Sequence, residues 1–173
     1  LAAKAATSTI PIVFVIGADP VKLGLVASLN RPGGNATGIS DIGVQLGAKR
    51  LSILYELLPN AARIAALVNP DNPGITESFV SELQAAASAI GRQIEIVTAS
   101  TNSGIDTAFA TLVKMQADAF LISPEALFVT RRFQFLTLAA RHAIPALYHR
   151  RQFTDAGGLM SYGSSFADQF RQT

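Results

Sequence analysis

One phrase recurs three times in this chain: a short apolar run, a tight polar turn, a residue able to cap a helix, and a proline. Its fullest form is Arg63-Ile-Ala-Ala-Leu-Val-Asn-Pro-Asp-Asn-Pro-Gly-Ile-Thr-Glu-Ser-Phe79. Ile64 to Val68 is apolar at every position, as expected for a strand covered on both faces. Asn69 to Gly74 breaks the run with turn residues, and Ile75 opens a helical pattern. Asn72 is placed to cap a helix whose first residue is Pro73, where the missing amide would have had no partner anyway. Ile12 to Gly17 before Asp19-Pro20, and Ala119 to Ile122 before Ser123-Pro124, repeat the phrase. In a parallel α/β sheet such turns gather at the carboxyl edge, where ligands bind.

The segments between follow the same alternation. Val21, Leu23, Leu25, Val26 and Leu29 predict a short buried helix, and Arg31 to Gly38 is a Gly/Pro-rich loop. A brief extended stretch at Gly38 to Ser40 leads to a helix over 44–58. Apolar residues from Ile75 to Ile90 recur at the helical period, with Gly91 closing the helix. A strand at Ile94 to Thr98 precedes a helix to Gln116, for which Ser103 and Asp106 form a variant capping box. Asp118 to Ile122 is a strand, 125–143 a helix, and Ile144 to Tyr148 a strand. A last short strand covers Gly158 to Ser161, and another helix begins at Phe166. The fold class is therefore α/β, a doubly wound parallel sheet.

Composition narrows the chemistry. In 173 residues, 49% are hydrophobic and 15% charged, which supports a sizeable core in one domain or two small lobes. The net charge is only +2, and Arg131-Arg132 and Arg150-Arg151 are isolated pairs without aromatic platforms, which argues against nucleic-acid binding. With no cysteine there is no disulfide framework, thiolate zinc site or thiol nucleophile. His142 and His149 have no second ligand at metal spacing, so no metal is expected. No phosphate loop, dinucleotide fingerprint or nucleophile elbow occurs, and neither an enzymatic role nor a cofactor is expected. Leu1 to Ala6 reads as the tail of a helix and Ser165 to Thr173 as a helix stopped midway, so the chain is expected to be a piece of a longer one.

Five stretches carry a resemblance. They are Ile10-Pro-Ile-Val-Phe-Val15, Asp19-Pro-Val-Lys-Leu-Gly-Leu-Val-Ala-Ser-Leu-Asn-Arg-Pro-Gly-Gly-Asn35, Val68-Asn-Pro-Asp-Asn-Pro73, Ala139-Ala-Arg-His-Ala-Ile-Pro-Ala146 and Gly157-Gly-Leu-Met-Ser-Tyr-Gly163. Together they resemble the substrate-binding components of ABC importers with the type I periplasmic-binding-protein fold, in the branch that includes tryptophan and other aromatic amino acid binders. The resemblance implies two α/β lobes with a ligand held between them. It divides this chain into a remnant of lobe one (1–38), a complete lobe two (39–156) and a crossover back to lobe one (157–173). It also implies a periplasmic or extracytoplasmic location, a signal peptide upstream, a small-molecule ligand (an amino acid, aromatic or branched), and an ABC permease as partner. A remnant lobe with open strand edges is expected to self-associate, as a dimer or larger species. A ligand-sensing regulatory domain on the same fold is the alternative, and a flavodoxin-like enzyme a third reading.

Within that frame, the strands ending at Val68 and Ile122 should flank the point where strand order reverses. Their turns are the first candidates for ligand contact: Asn69, Asp71 and Asn72 after one, Ser123, Glu125 and Phe128 after the other. Asn69 and Asn72 can donate or accept, free helix amides suit a carboxylate, and Phe128 could stack on the ligand. Asn72 and Ser123 could equally be caps, and Glu125 a first-turn acid complementing the helix dipole. Asp19 could meet a ligand ammonium or cap the helix after Pro20. Tyr148 and Tyr162, at strand ends, are candidates for the cleft or for an interface between lobes.

Overall fold

The computed structural model describes residues 2–17, 19–40, 43–165 and 171. They fall into two compact units, one formed by 1–42 with 164–173 and the other by 43–163.

The first unit contains α1 (Ala2–Ala6), β1 (Ile12–Ile16) and β2 (Ala36–Ser40). β1 and β2 pair in parallel, with Ile12 opposite Ala36 and Ile16 opposite Ser40. The Asn35 amide donates to the Ile10 carbonyl at 2.7 Å, anchoring the strand entrance. The helix expected after Pro20 does not form. A single turn does, closed by the Leu25 amide on the Pro20 carbonyl at 2.8 Å. Gly24, at φ +67, takes the left-handed conformation that ends it. The helix expected from Phe166 falls on 166–170, outside the described residues.

The second unit contains α2 (Gly47–Leu57), β3 (Ile64–Val68), α3 (Pro73–Ala89), β4 (Ile94–Thr98) and α4 (Asn102–Lys114). It continues through β5 (Ala119–Ile122), α5 (Ala126–Thr130), α6 (Arg132–His142), β6 (Ala146–Tyr148), α7 (Arg151–Asp155) and β7 (Met160–Ser161). Its five strands are all parallel, in the order β4-β3-β5-β6-β7.

The side-chain period of two divides this sheet's core into two layers. Ala65, Leu67, Phe120, Ile122, Ala146 and Tyr148 face α4 to α7, through Phe109, Phe128, Phe135 and Phe153. Ile64, Ala66, Val68, Ala119, Leu121 and Leu147 face α2 and α3, through Leu51, Leu54, Phe79 and Leu83. All five residues of β3 are buried, which is why its sequence shows no alternation. At the amino edge, Asp118 accepts the amides of Ala62 and Arg63 at 2.8 and 2.9 Å, tying the start of β5 to that of β3.

Three local expectations are corrected. The helix predicted over 125–143 is two helices, separated at Arg131, where ψ is 16. The Thr130 hydroxyl donates back to the Leu127 carbonyl at 2.7 Å, competing with the helical ladder. α4 is capped by Thr101, whose Oγ1 accepts the Gly104 amide at 3.0 Å. Asp106 instead accepts from the Gln134 amide at 2.9 Å, so no capping box forms around Ser103. α7 was not expected at all. Among the described residues, no helix is long and apolar enough to cross a membrane.

Candidate functional site

β3 has β4 on one side and β5 on the other, so the chain reverses its direction of strand addition across the β3–β5 pair. Leu67 lies opposite Ile122 in that pair. The turns after Val68 and Ile122 therefore leave neighbouring strands at one carboxyl rim, the usual ligand edge of such a sheet. β6 continues the row. With Leu121 opposite Leu147, the register carried two residues further brings His149 beside Ser123.

The first turn is fastened by its own backbone. Asn69 Oδ1 accepts the Asp71 amide at 3.0 Å, an Asx turn around Pro70. The Asn69 carbonyl accepts the Asn72 amide at 3.2 Å and the Thr76 hydroxyl at 2.6 Å. α3 then starts at Pro73 with Asn72 in the cap position, yet the Asn72 side chain makes no capping bond. Its Nδ2 reaches across the rim and donates to Glu125 Oε2 at 3.3 Å.

The second turn carries the buried polar groups. The Ser123 amide extends the sheet by donating to the Leu67 carbonyl at 3.0 Å, and the Glu125 amide folds back on the Ser123 carbonyl at 2.8 Å. Ser123 does not cap α5; Glu125 occupies the cap position, also without a side-chain capping bond. Glu125 is 4% exposed, Ser123 0% and His149 3%. Ser123 Oγ, Glu125 Oε1 and both ring nitrogens of His149 have no hydrogen-bond partner among the described residues. Burial pushes the Glu125 carboxyl above its ordinary value, an effect that Asn72 and Asn69 partly offset. Burial pushes the His149 imidazole well down, and the charges of Arg50 and Arg150 push it further. Arg50 itself is fully buried on α2, donating to the Gly43 carbonyl with its guanidinium 5.9 Å from the Phe79 ring centre. The register sets His149 beside Ser123 and a hydrogen bond sets Asn72 against Glu125, so this rim gathers directional donors and acceptors from three strand exits.

The other predicted residues divide. Asp71 and Tyr162 are exposed, Tyr162 at 40%, with its amide donating to the Tyr148 carbonyl at 2.9 Å. Phe128 cannot stack on a ligand. Its ring is fully buried against Phe135, with centroids 5.1 Å apart. Tyr148 is likewise part of the core, its ring stacked nearly parallel on that of Phe153 with centroids 4.4 Å apart, and burial pushes its phenol up. Asp19, in the first unit, is exposed and accepts the Val21 and Lys22 amides at 2.9 and 3.3 Å, so it acts as a turn cap. His149 and Arg50 were missed. The signal for His149 was available, since it follows β6 as Asn69 follows β3 and Ser123 follows β5. Among the described residues no group of three metal-ligating side chains occurs.

Comparison with known proteins is consistent across the chain. The family model described as ABC transporter substrate binding protein matches residues 1–173. A tyrosine-binding protein from Clostridioides difficile (strain R20291) is 28% identical over 166 residues, covering 95% of this chain and 47% of that protein. A conserved domain protein from Vibrio cholerae superposes with a TM-score of 0.84 at 26% identity, over 99% of this chain and 57% of that one. A domain from Streptococcus pneumoniae, solved in complex with L-Trp, shares the fold at a TM-score of 0.78 and 22% identity, over 96% of this chain and 56% of that one. The chain thus spans about half the length of the relatives it matches.

Proposed function

The chain belongs to the family of ABC transporter substrate-binding proteins, and from that premise we propose that it is part of a solute receptor that captures an amino acid without transforming it. The 43–163 unit supplies one wall, built from the turns after β3 and β5 and from the exit of β6. The 1–42 and 164–173 unit belongs to the other lobe. The full-length protein works outside the cytoplasm and hands its ligand to an ABC permease.

The carrying observation is the row of buried polar groups at the carboxyl rim of β5 and β6, with Ser123, Glu125 and His149 each under a tenth exposed and each holding an unpartnered atom. Buried polar groups are normally paired, and leaving one unpaired costs about 1–3 kcal/mol, so three in a row at a ligand edge point to a partner that arrives from solution. An amino acid offers both donors and acceptors, and the relative from Clostridioides difficile is named for binding tyrosine.

Calorimetry and thermal shift on the full-length protein, across aromatic, aliphatic and polar amino acids, test this reading. Ligand at a hundred times its Kd should stabilise the protein by about 2.7 kcal/mol, a shift of several degrees. A flat response to every amino acid removes the assignment. For the 173-residue chain alone we propose self-association through the first unit, where Ile10 and Val13 are exposed beside a two-stranded sheet. A clean monomer by light scattering refutes it.

A further inference from the structure

We propose that Arg50 is a positioning residue that ties together the two points where the chain passes between its units, holding the entry at Gly43 directly and the exit at Gly163 through His149. This role is independent of which ligand the protein takes.

The second unit begins at Gly43 and ends at Gly163, so both covalent connections to the first unit run through those two glycines. Such joints are where backbone torsions can change without disturbing either core. At the entry, the Arg50 guanidinium reaches back from α2 and donates to the Gly43 carbonyl. At the exit, the Tyr162 amide donates to the Tyr148 carbonyl at 2.9 Å. Gly163 then packs so closely on the His149 backbone that an added Cβ would collide with its carbonyl oxygen.

Arg50 and His149 connect the two. Both are buried, at 0% and 3% exposure. His149 follows Leu147, a member of the layer that α2 and α3 cover, by two residues. Burial first, and the charges of Arg50 and Arg150 next, keep its imidazole neutral. A neutral ring is the form that stays buried, so Arg50 helps to keep inside the unit the residue on whose carbonyl Gly163 rests. Desolvating a guanidinium costs more than burying leucine at the same helical position. Packing of α2 alone therefore does not account for Arg50, whereas a carbonyl that must be held does.

The test is hydrogen exchange in the full-length protein, read by NMR at three amides. Gly47, bonded to the Val44 carbonyl at 2.9 Å, reports the entry, and Tyr162, bonded to the Tyr148 carbonyl, reports the exit. Asp118, bonded to the Arg63 carbonyl at 2.9 Å on the amino edge of the sheet, is the reference. Arg50→Met should speed exchange at both Gly47 and Tyr162 by roughly 10- to 100-fold, as for loss of a hydrogen bond to a charged group, and at Asp118 by less than about three-fold. His149 should also titrate nearer to 6.5 in the variant. Lost stability alone would quicken all three amides alike, and acceleration confined to Gly47 would leave the two passages unlinked. Either result overturns the role, as does a His149 titration that stays where it was. Should Arg50→Met fail to fold, Arg50→Gln removes the charge with a smaller change of shape. His149 should again rise and Tyr162 quicken relative to Asp118, and an unchanged Tyr162 overturns the role.

Discussion

Asn72 and Glu125, 53 residues apart in sequence, meet side chain to side chain at 3.3 Å across the β3–β5 boundary. Each occupies a helix cap position and neither uses its side chain to cap. Asn72 therefore forgoes a local bond worth about 1 kcal/mol, and the pair instead fixes the position of a buried carboxyl. A tertiary contact thus stands where local capping bonds are absent at both helix starts.

Replacing Glu125 with Gln should stabilise the ligand-free protein at neutral pH. The folded carboxyl lies above its ordinary value of 4.5, because burial penalises the charged form. As pH rises past 4.5 the unfolded chain releases its proton first, so this group costs stability from there up to the folded value and continues to cost it above. Urea denaturation at pH 4, 5 and 7 should show the variant gaining on the wild type as pH rises. Parallel stabilities across that range would mean the carboxyl is not disfavoured by folding.

His149 acts with the opposite sign. Its folded imidazole lies well below the ordinary 6.5, through burial first and then the charges of Arg50 and Arg150. As pH falls below 6.5 the unfolded chain takes up a proton that the folded chain refuses, so stability is lost on acidification. The slope for one proton is at most about 1.4 kcal/mol per pH unit. His149→Gln should flatten the loss between pH 7 and 5, measured in both the wild-type and Glu125→Gln backgrounds so that the two groups are separated. Equal acid limbs with and without His149 would contradict this.

Core and surface aromatic rings should differ sharply. Phe109 is fully buried, edge-on to Phe120 at 5.2 Å and to Phe135 at 5.9 Å. Phe109→Ala should cost about 3–5 kcal/mol, the transfer and cavity penalty for a buried ring. Phe133 is exposed, with the Arg132 guanidinium 4.6 Å over its ring, and Phe133→Ala should cost under about 1 kcal/mol. Denaturant midpoints compare the two, and similar losses would show that α4 does not form the centre of this layer.

What the sequence makes legible here is what depends on neighbours along the chain. Ile64 to Val68 announces a strand buried on both faces, and Pro73 and Gly91 bracket α3. The shared edge of the turns after Val68 and Ile122 follows from strand–helix alternation alone. Partnerships across the fold are less visible. Glu125 reads as an ordinary first-turn acid until β3 and β5 are set side by side, and only then does Asn72 come within reach. Phe128 was misjudged for a different reason, since a residue close to a ligand turn can still point inward. After Pro20 the apolar spacing suggests a helix, but Gly24 stops it after one turn. Arg50 gives no local sign of its burial, because a cation at a helical position ordinarily faces water.

Gly163 has no room for a side chain. A Cβ placed there would stand 1.9 Å from the carbonyl oxygen of His149 and 2.9 Å from its carbonyl carbon, a backbone collision that no side-chain rotation can relieve. Gly163→Ala must therefore push apart the exits of β6 and β7, which the Tyr162 amide joins to the Tyr148 carbonyl at 2.9 Å. The expected cost is about 1–3 kcal/mol, as for overpacked sites. Its local mark should be His149 regaining solvent and titrating nearer to 6.5 by NMR. Gly74 is the control, in the first turn of α3 with nothing within 4 Å of an added Cβ. Gly74→Ala should stabilise by about 0.4–1 kcal/mol, because it restricts the unfolded chain. If Gly163→Ala is as harmless as Gly74→Ala and leaves the His149 titration unmoved, the two strand exits are not packed as described, and the rim loses the element that keeps its imidazole buried.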